Sequence, residues 1–321
     1  MTISNWDNRR LMNDIFSSTL PILLIPLLGS IIKRKWLTSE EFWRGIEKLS
    51  YFFLFPIMLF NSISVADLNA SSIIRLVLAL IISSSIIAVA LIIYQKKTNF
   101  DKIQFTSTFQ GAVRYNNYIF FGVSSPLLGQ EGLAIVSAIA SYMIIFTNII
   151  SVMIFSHYVP DSSVAQSSKT SFIWTLKLIV QNPLIIASII GFLFNYSNLE
   201  LHLIIKKTLS TLSDSALAIG MLNVGAGLKF FMRGTILKNV LFTSFVKLVA
   251  FPIVTIIVLS LMSITGTAKS VGVLYSCLPC ASTSYALSRQ LGGDPESMAS
   301  IITFTTLFSI VSLSVLMWIN I

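Results

Sequence analysis

Ten long apolar runs follow one another along this chain. They lie at about residues 15–32, 47–63, 73–94, 105–127, 133–156, 173–196, 206–228, 239–262, 268–290 and 297–320. Each is near the length that a helix needs to cross a bilayer, about 17–25 residues. Of the 321 residues, 55% are hydrophobic and only 11% are charged, whereas soluble domains carry about 25% charged residues. A soluble fold has no interior large enough to hide that surface. The fold class expected is an all-α integral membrane protein with ten transmembrane helices.

The net charge of +9 does not call for nucleic acid, because the basic residues collect in alternate loops. With the N-terminus outside, the inner side holds Lys33, Arg34, Lys35, Arg44, Lys48, Lys96, Lys97, Lys102, Lys169, Lys177, Lys229, Arg233, Lys238 and Arg289. The outer side holds Arg9, Arg10, Arg75, Lys206, Lys207 and Lys269. Cytoplasmic loops carry the excess of Lys and Arg. The bias therefore places the chain in the cell (inner) membrane as a multi-pass protein, with both termini and the loop Ser64–Ser72 outside. No small-residue cleavage site follows the first apolar run, so no removed signal peptide is expected.

Polar residues interrupt two of the runs. The first break is Gly111-Ala112-Val113-Arg114-Tyr115-Asn116-Asn117-Tyr118, and the second is Cys277-Leu278-Pro279-Cys280-Ala281-Ser282-Thr283-Ser284-Tyr285. A charge at a helix centre costs about 2.5–3.5 kcal/mol on insertion scales, so Arg114 must face water, a partner or a substrate. Its guanidinium can grip a carboxylate with two parallel hydrogen bonds. Asn116, Asn117 and Tyr118 follow it and can bind a ligand or cap freed backbone groups. Pro279 breaks the second helix, and Ser282, Thr283, Ser284 and Tyr285 offer hydroxyls to the orphaned backbone or to a ligand. Structural readings stand beside these: Arg114 paired with a buried acid, and hydroxyls that only repair the backbone. Asp214 and Lys247 are candidates for ion coupling. Asp214 also fits a solvated helix start, and Lys247 a side chain that reaches for the inner surface.

Cys277 and Cys280 match a redox spacing, but no second thiol pair exists to relay electrons. His157 and His202 are not spaced as metal ligands, and no phosphate loop or hydrolytic carboxylate pair is present. No cofactor, no metal and no catalytic residue is expected.

The halves of the chain repeat. Pro21 and Gly29 match Pro183 and Gly191, and Asn61 matches Asn223, all at one offset. Ser125, Leu128, Gly129 and Glu131 match Ser288, Leu291, Gly292 and Asp294 one residue further on. Five spans per half invert the second half, as in many secondary transporters with mid-membrane sites on broken helices. The expected organisation is a first repeat at 1–156, a short cytoplasmic linker at 157–171 and a second, inverted repeat at 172–321.

Several segments resemble the auxin efflux carrier family. They are Gln110-Gly111-Ala112-Val113-Arg114-Tyr115-Asn116, Asn182-Pro183-Leu184-Ile185-Ile186, Ser213-Asp214-Ser215-Ala216-Leu217, Val224-Gly225-Ala226-Gly227-Leu228, Lys247-Leu248 and Ala286-Leu287-Ser288-Arg289-Gln290-Leu291-Gly292-Gly293-Asp294. The resemblance implies that spans four and nine are broken and cross. It implies a scaffold of spans one, two, six and seven, often a homodimer, with the remaining spans as a moving, elevator-type unit. It also implies organic-anion substrates, among them malate and malonate in bacterial relatives, whose short central linker this chain shares. The expected function is a permease for a small organic anion, coupled or not to a proton or sodium, with membrane lipid and no nucleic acid as partner. The alternatives are a sodium-coupled bile-acid-type symporter and, from another class, a membrane thiol-disulfide oxidoreductase using Cys277 and Cys280.

Overall fold

The computed structural model describes residues 24–64, 70–159, 183–197, 199–228 and 234–320. All the regular elements among them are helices. We number them α1 (24–35), α2 (Glu40–Ser64), α3 (Ala70–Thr98), α4 (Lys102–Val113), α5 (Asn117–Tyr158) and α6 (Pro183–Tyr196). There follow α7 (Leu203–Ala226), α8 (Gly234–Phe245, continued to Leu261), α9 (Gly266–Cys277), α10 (Ser284–Gln290) and α11 (Pro295–Asn320). The linker beyond Val159, the starts of the first and sixth apolar runs and residues 65–69 lie outside the described residues.

Five stretches among the described residues are long and apolar enough to cross a membrane: Glu40–Ser64, Ser72–Thr98, Lys102–Tyr158, Ile236–Leu261 and Pro295–Val315. The third runs for 57 residues, about 85 Å at 1.5 Å per residue, too long for one crossing. It is divided by the break at 114–116 and by Gly129, whose φ of 66° and ψ of −165° suit only glycine.

Apolar side chains point both ways, as a bilayer requires. On α3, Leu76, Leu80, Ile87 and Leu91 are buried, while Leu78, Ile82, Ile86, Val89 and Ile93 form an exposed stripe at helical spacing. In water such a stripe would be a liability; against lipid it is the ordinary outer face.

Among the described residues two helices carry a π turn in mid-course, Ser50–Leu54 in α2 and Val246–Ala250 in α8. Both turns are followed by Phe-Pro, at Phe55-Pro56 and Phe251-Pro252. Proline has no N–H to return to the preceding turn, and the helix widens by one residue rather than leave a carbonyl orphaned. Phe55 N–H reaches Ser50 O, and Phe251 N–H reaches Val246 O.

Glycines set the closest approaches. A Cβ at Gly225 on α7 would lie 1.7 Å from the Pro26 carbonyl oxygen of α1. One at Gly29 on α1 would lie 2.1 Å from the Leu222 oxygen of α7. Gly191 on α6 lies against Ile63 and Phe60 of α2. The second half of α2 thus packs along α6 and α7, whereas α4 and α9 are enclosed by α3, α5, α8 and α11.

Candidate functional site

Both expected breaks are present, and they touch. Helix α4 ends where Arg114 turns extended (ψ 155°), its N–H still bonded to Gln110 O at 2.9 Å. Asn116 is extended too and caps α5, its Oδ1 accepting from Ile119 N at 3.2 Å. Helix α9 ends at Cys277, and Leu278, the residue before Pro279, is extended as the proline ring demands. The backbone N–H of Asn116 donates to Pro279 O at 2.9 Å. Cys280 N–H is held by Thr305 Oγ1 of α11 at 3.2 Å. Backbone groups released by one break are therefore satisfied by the other break and by a flanking helix, as irregular chain in a membrane must be.

Arg114 is buried at 8% exposure. Its Nη1 donates to Gln110 Oε1 at 3.2 Å and its Nη2 to Thr283 Oγ1 at 3.1 Å, joining the two breaks through a side chain. Among the described residues no carboxylate lies within 4.0 Å of the guanidinium. Neutral oxygens alone leave its charge uncompensated. Beside it, Gln110 Nε2, Asn116 Nδ2 and Asn117 Oδ1 are buried without a hydrogen-bond partner. Unused polar atoms in such a place are costly unless something binds there.

A cavity of about 410 Å³ opens beside these groups, lined by Arg114, Asn116, Asn117 and Tyr118 and by Ser282 and Thr283. Its volume falls within the usual range of small-molecule sites, about 300–1,000 Å³. Across it stand Glu47, Tyr51 and Phe55 of α2 and Thr147 and Asn148 of α5. The Phe55 ring meets Tyr118 edge-on, with centroids 4.7 Å apart. A second cavity of about 1,010 Å³ is bordered by Lys33, Arg34, Arg44 and Arg289 together with Glu40, Glu47, Ser282 and Tyr285. Glu47 and Ser282 line both spaces.

Six of the residues singled out in the sequence thus share one cavity. Tyr285 lines the larger cavity instead. Ser284 lines neither: it is fully buried, with its Oγ 3.7 Å from Cys280 Sγ. Asp214 is exposed on α7 and lines neither cavity. Lys247 is fully buried in the π turn of α8, its Nζ 4.5 Å from the centroid of the Phe251 ring and without a hydrogen-bond partner. It does not reach the inner surface by way of either cavity. Sequence reasoning missed Glu47 and Tyr51. Their signal was present in the spacing of Glu47, Tyr51 and Phe55, four residues apart on one helix face.

A family model described as membrane transport protein matches residues 14–317. The chain belongs to that family, the family of the auxin efflux carriers. An uncharacterized transporter of Methanothermobacter thermautotrophicus is 24% identical over 302 residues, which cover 92% of this chain and 95% of that protein. The protein is accordingly a multi-pass membrane transporter that carries a small-molecule substrate, and not an enzyme. The oxidoreductase alternative falls with that assignment. In this family member Cys277 and Cys280 are buried free thiols, and Cys280 Sγ lies 3.7 Å from Gln110 O between the two breaks.

Proposed function

We propose that this membrane transport protein is a permease for small organic anions. The carrying observation is the buried Arg114 guanidinium, without a carboxylate partner among the described residues and open to a cavity edged by unpartnered amide groups. A substrate carboxylate would supply the missing charge, with Asn116, Asn117, Tyr118, Ser282 and Thr283 completing its shell. Malate and malonate are the first candidates. A thermal-shift series on the purified protein tests this. Either diacid, well above its Kd, should raise the melting temperature by several degrees, since ligand at about 100 times Kd stabilises by about 2.7 kcal/mol. Glucose and arginine should not. A panel of mono- and dicarboxylates without effect would exclude the reading.

The architecture that goes with this function is ten spans in two inverted repeats, 1–156 and 172–321. Two reciprocal contacts support it. Gly29 of α1 packs on Leu222 of α7, and its repeat mate Gly191 of α6 packs on Ile63 of α2. In an elevator-type cycle the unit built on α4 and α9 would slide against α1, α2, α6 and α7, carrying Arg114 from one side to the other, with a homodimer steadying the scaffold. An inside-negative potential opposes anion entry by about 2.3 kcal/mol per charge per 100 mV, so export needs no coupling ion, whereas uptake needs a proton or sodium.

The basic rim of the larger cavity would face the cytoplasm, with both termini and the loop Ser64–Ser72 outside. A Ser167→Cys variant in intact cells should then react only with a membrane-permeant thiol reagent. Labelling by an impermeant one would reverse the orientation.

A further inference from the structure

Glu47 stands where the two cavities meet. It is half-buried on α2, one turn before Tyr51. Its carboxylate has no ion-pair partner within 4.0 Å among the described residues. The charged and titratable groups around the two cavities come from several elements. Helix α1 brings Lys33 and Arg34, and α2 itself brings Glu40, Arg44, Lys48 and Tyr51. The first break and α5 bring Arg114, Tyr115 and Tyr118, and α10 brings Tyr285 and Arg289. Helix α7, which packs on α2, brings Asn223 and no titratable side chain to either cavity.

An anion passing from the larger cavity to Arg114 crosses a surface whose charge is mostly positive until it meets Glu47. There a like charge stands in the doorway, which the neutral Ser282 hydroxyl also lines. In a partly desolvated passage two anions repel far more strongly than in water. A proton taken up by Glu47 removes that repulsion. The proton is released by the buffer acid in bulk solution, reaches Glu47 through the larger cavity to form its O–H, and returns to the buffer when the anion leaves.

We propose that Glu47 is a proton-operated gate of the anion site: ionised, it holds the doorway of the Arg114 cavity against anions, and protonated, it admits them. The proposal rests on the reading of the cavity beside Arg114 as an anion site.

Isothermal titration of the purified full chain with malate, near neutral pH where malate is fully ionised, tests it. Repeating the titration in buffers of different ionisation enthalpy counts the protons bound with the anion. The wild type should take up about one proton per malate. Glu47→Gln should bind malate at least as tightly with no proton uptake, and Glu47→Asp should restore the uptake. A purely structural role for Glu47 would change stability and leave the proton count of any folded variant untouched. Wild-type binding without proton uptake would overturn the gate, as would undiminished uptake in Glu47→Gln. The underlying reading fails separately. Malate binding with full proton uptake in Arg114→Gln would remove Arg114 from the site and leave the gate standing. A stable wild type that binds no member of a panel of mono- and dicarboxylates would overturn both.

Discussion

Arg114→Ala should weaken carboxylate binding by at least about tenfold while leaving the protein folded. A hydrogen bond to a charged group contributes about 1.5–3 kcal/mol, and about 1.4 kcal/mol is a factor of ten. Losing one or two such bonds to substrate sets the lower bound. The structure also bears on the folding half of this expectation. Had Arg114 been paired with a buried acid, its removal would strand that acid at a cost of about 3–5 kcal/mol. Its partners are instead Gln110 Oε1 and Thr283 Oγ1, neutral oxygens that water can satisfy from the adjoining cavity. Arg114→Lys should rescue binding poorly, because an ammonium cannot reproduce the two-pronged geometry. Ligand affinity and melting temperature measured on the same purified variants decide the matter. Wild-type affinity in Arg114→Ala would exclude the binding role, and collapse of its stability would make the residue structural.

Gly225→Ala should be among the most destabilising single-methyl changes in this protein. The added Cβ would lie 1.7 Å from the Pro26 oxygen and 2.4 Å from its carbonyl carbon, both backbone atoms that cannot turn aside. Helices α1 and α7 must separate, which opens the contact at Gly29 and Leu222 as well. Overpacking typically costs about 1–3 kcal/mol and occasionally more, which outweighs the gain of up to about 1 kcal/mol from replacing glycine by alanine in a helix. Gly45→Ala is the matched control: nothing lies within 4 Å of its Cβ position, so only the propensity gain remains. Thermal unfolding in detergent should show a clear drop for Gly225→Ala and none for Gly45→Ala. Equal melting temperatures for the two variants would show that α1 and α7 do not pack as closely as described.

These two positions differ in how they could be found. Arg114 is conspicuous from sequence because a charge in a run of apolar residues violates a local rule. Gly225 is one of 15 glycines, and nothing beside it in the chain announces that Pro26 will press against it. Glu47 falls between the two cases. It stands at the start of an apolar run, where an acid passes for a helix end that meets water. Its spacing from Tyr51 and Phe55 puts the three on one helix face, but only the packing around α2 shows that this face meets the site. The second break shows the same division. Its polar stretch is visible as Ser282-Thr283-Ser284-Tyr285, yet these four residues part company. Ser282 and Thr283 line the smaller cavity, Ser284 is buried against Cys280, and Tyr285 lines the larger cavity.

The sequence by itself determined the membrane class, the positions of both breaks and the identity of the buried guanidinium. Each follows from the bilayer acting on short stretches of chain: length, apolarity and the intolerance of an unpaired charge are local properties. The tertiary structure decided what the breaks do together. It set Asn116 N–H on Pro279 O and Arg114 on Thr283, far apart along the chain. It also decided which of four consecutive polar side chains meets the cavity. In a helix each residue turns by about 100° from the last. The face a residue presents therefore depends on where the helix restarts after Pro279 and on what packs behind it, and neither is written at the residue itself.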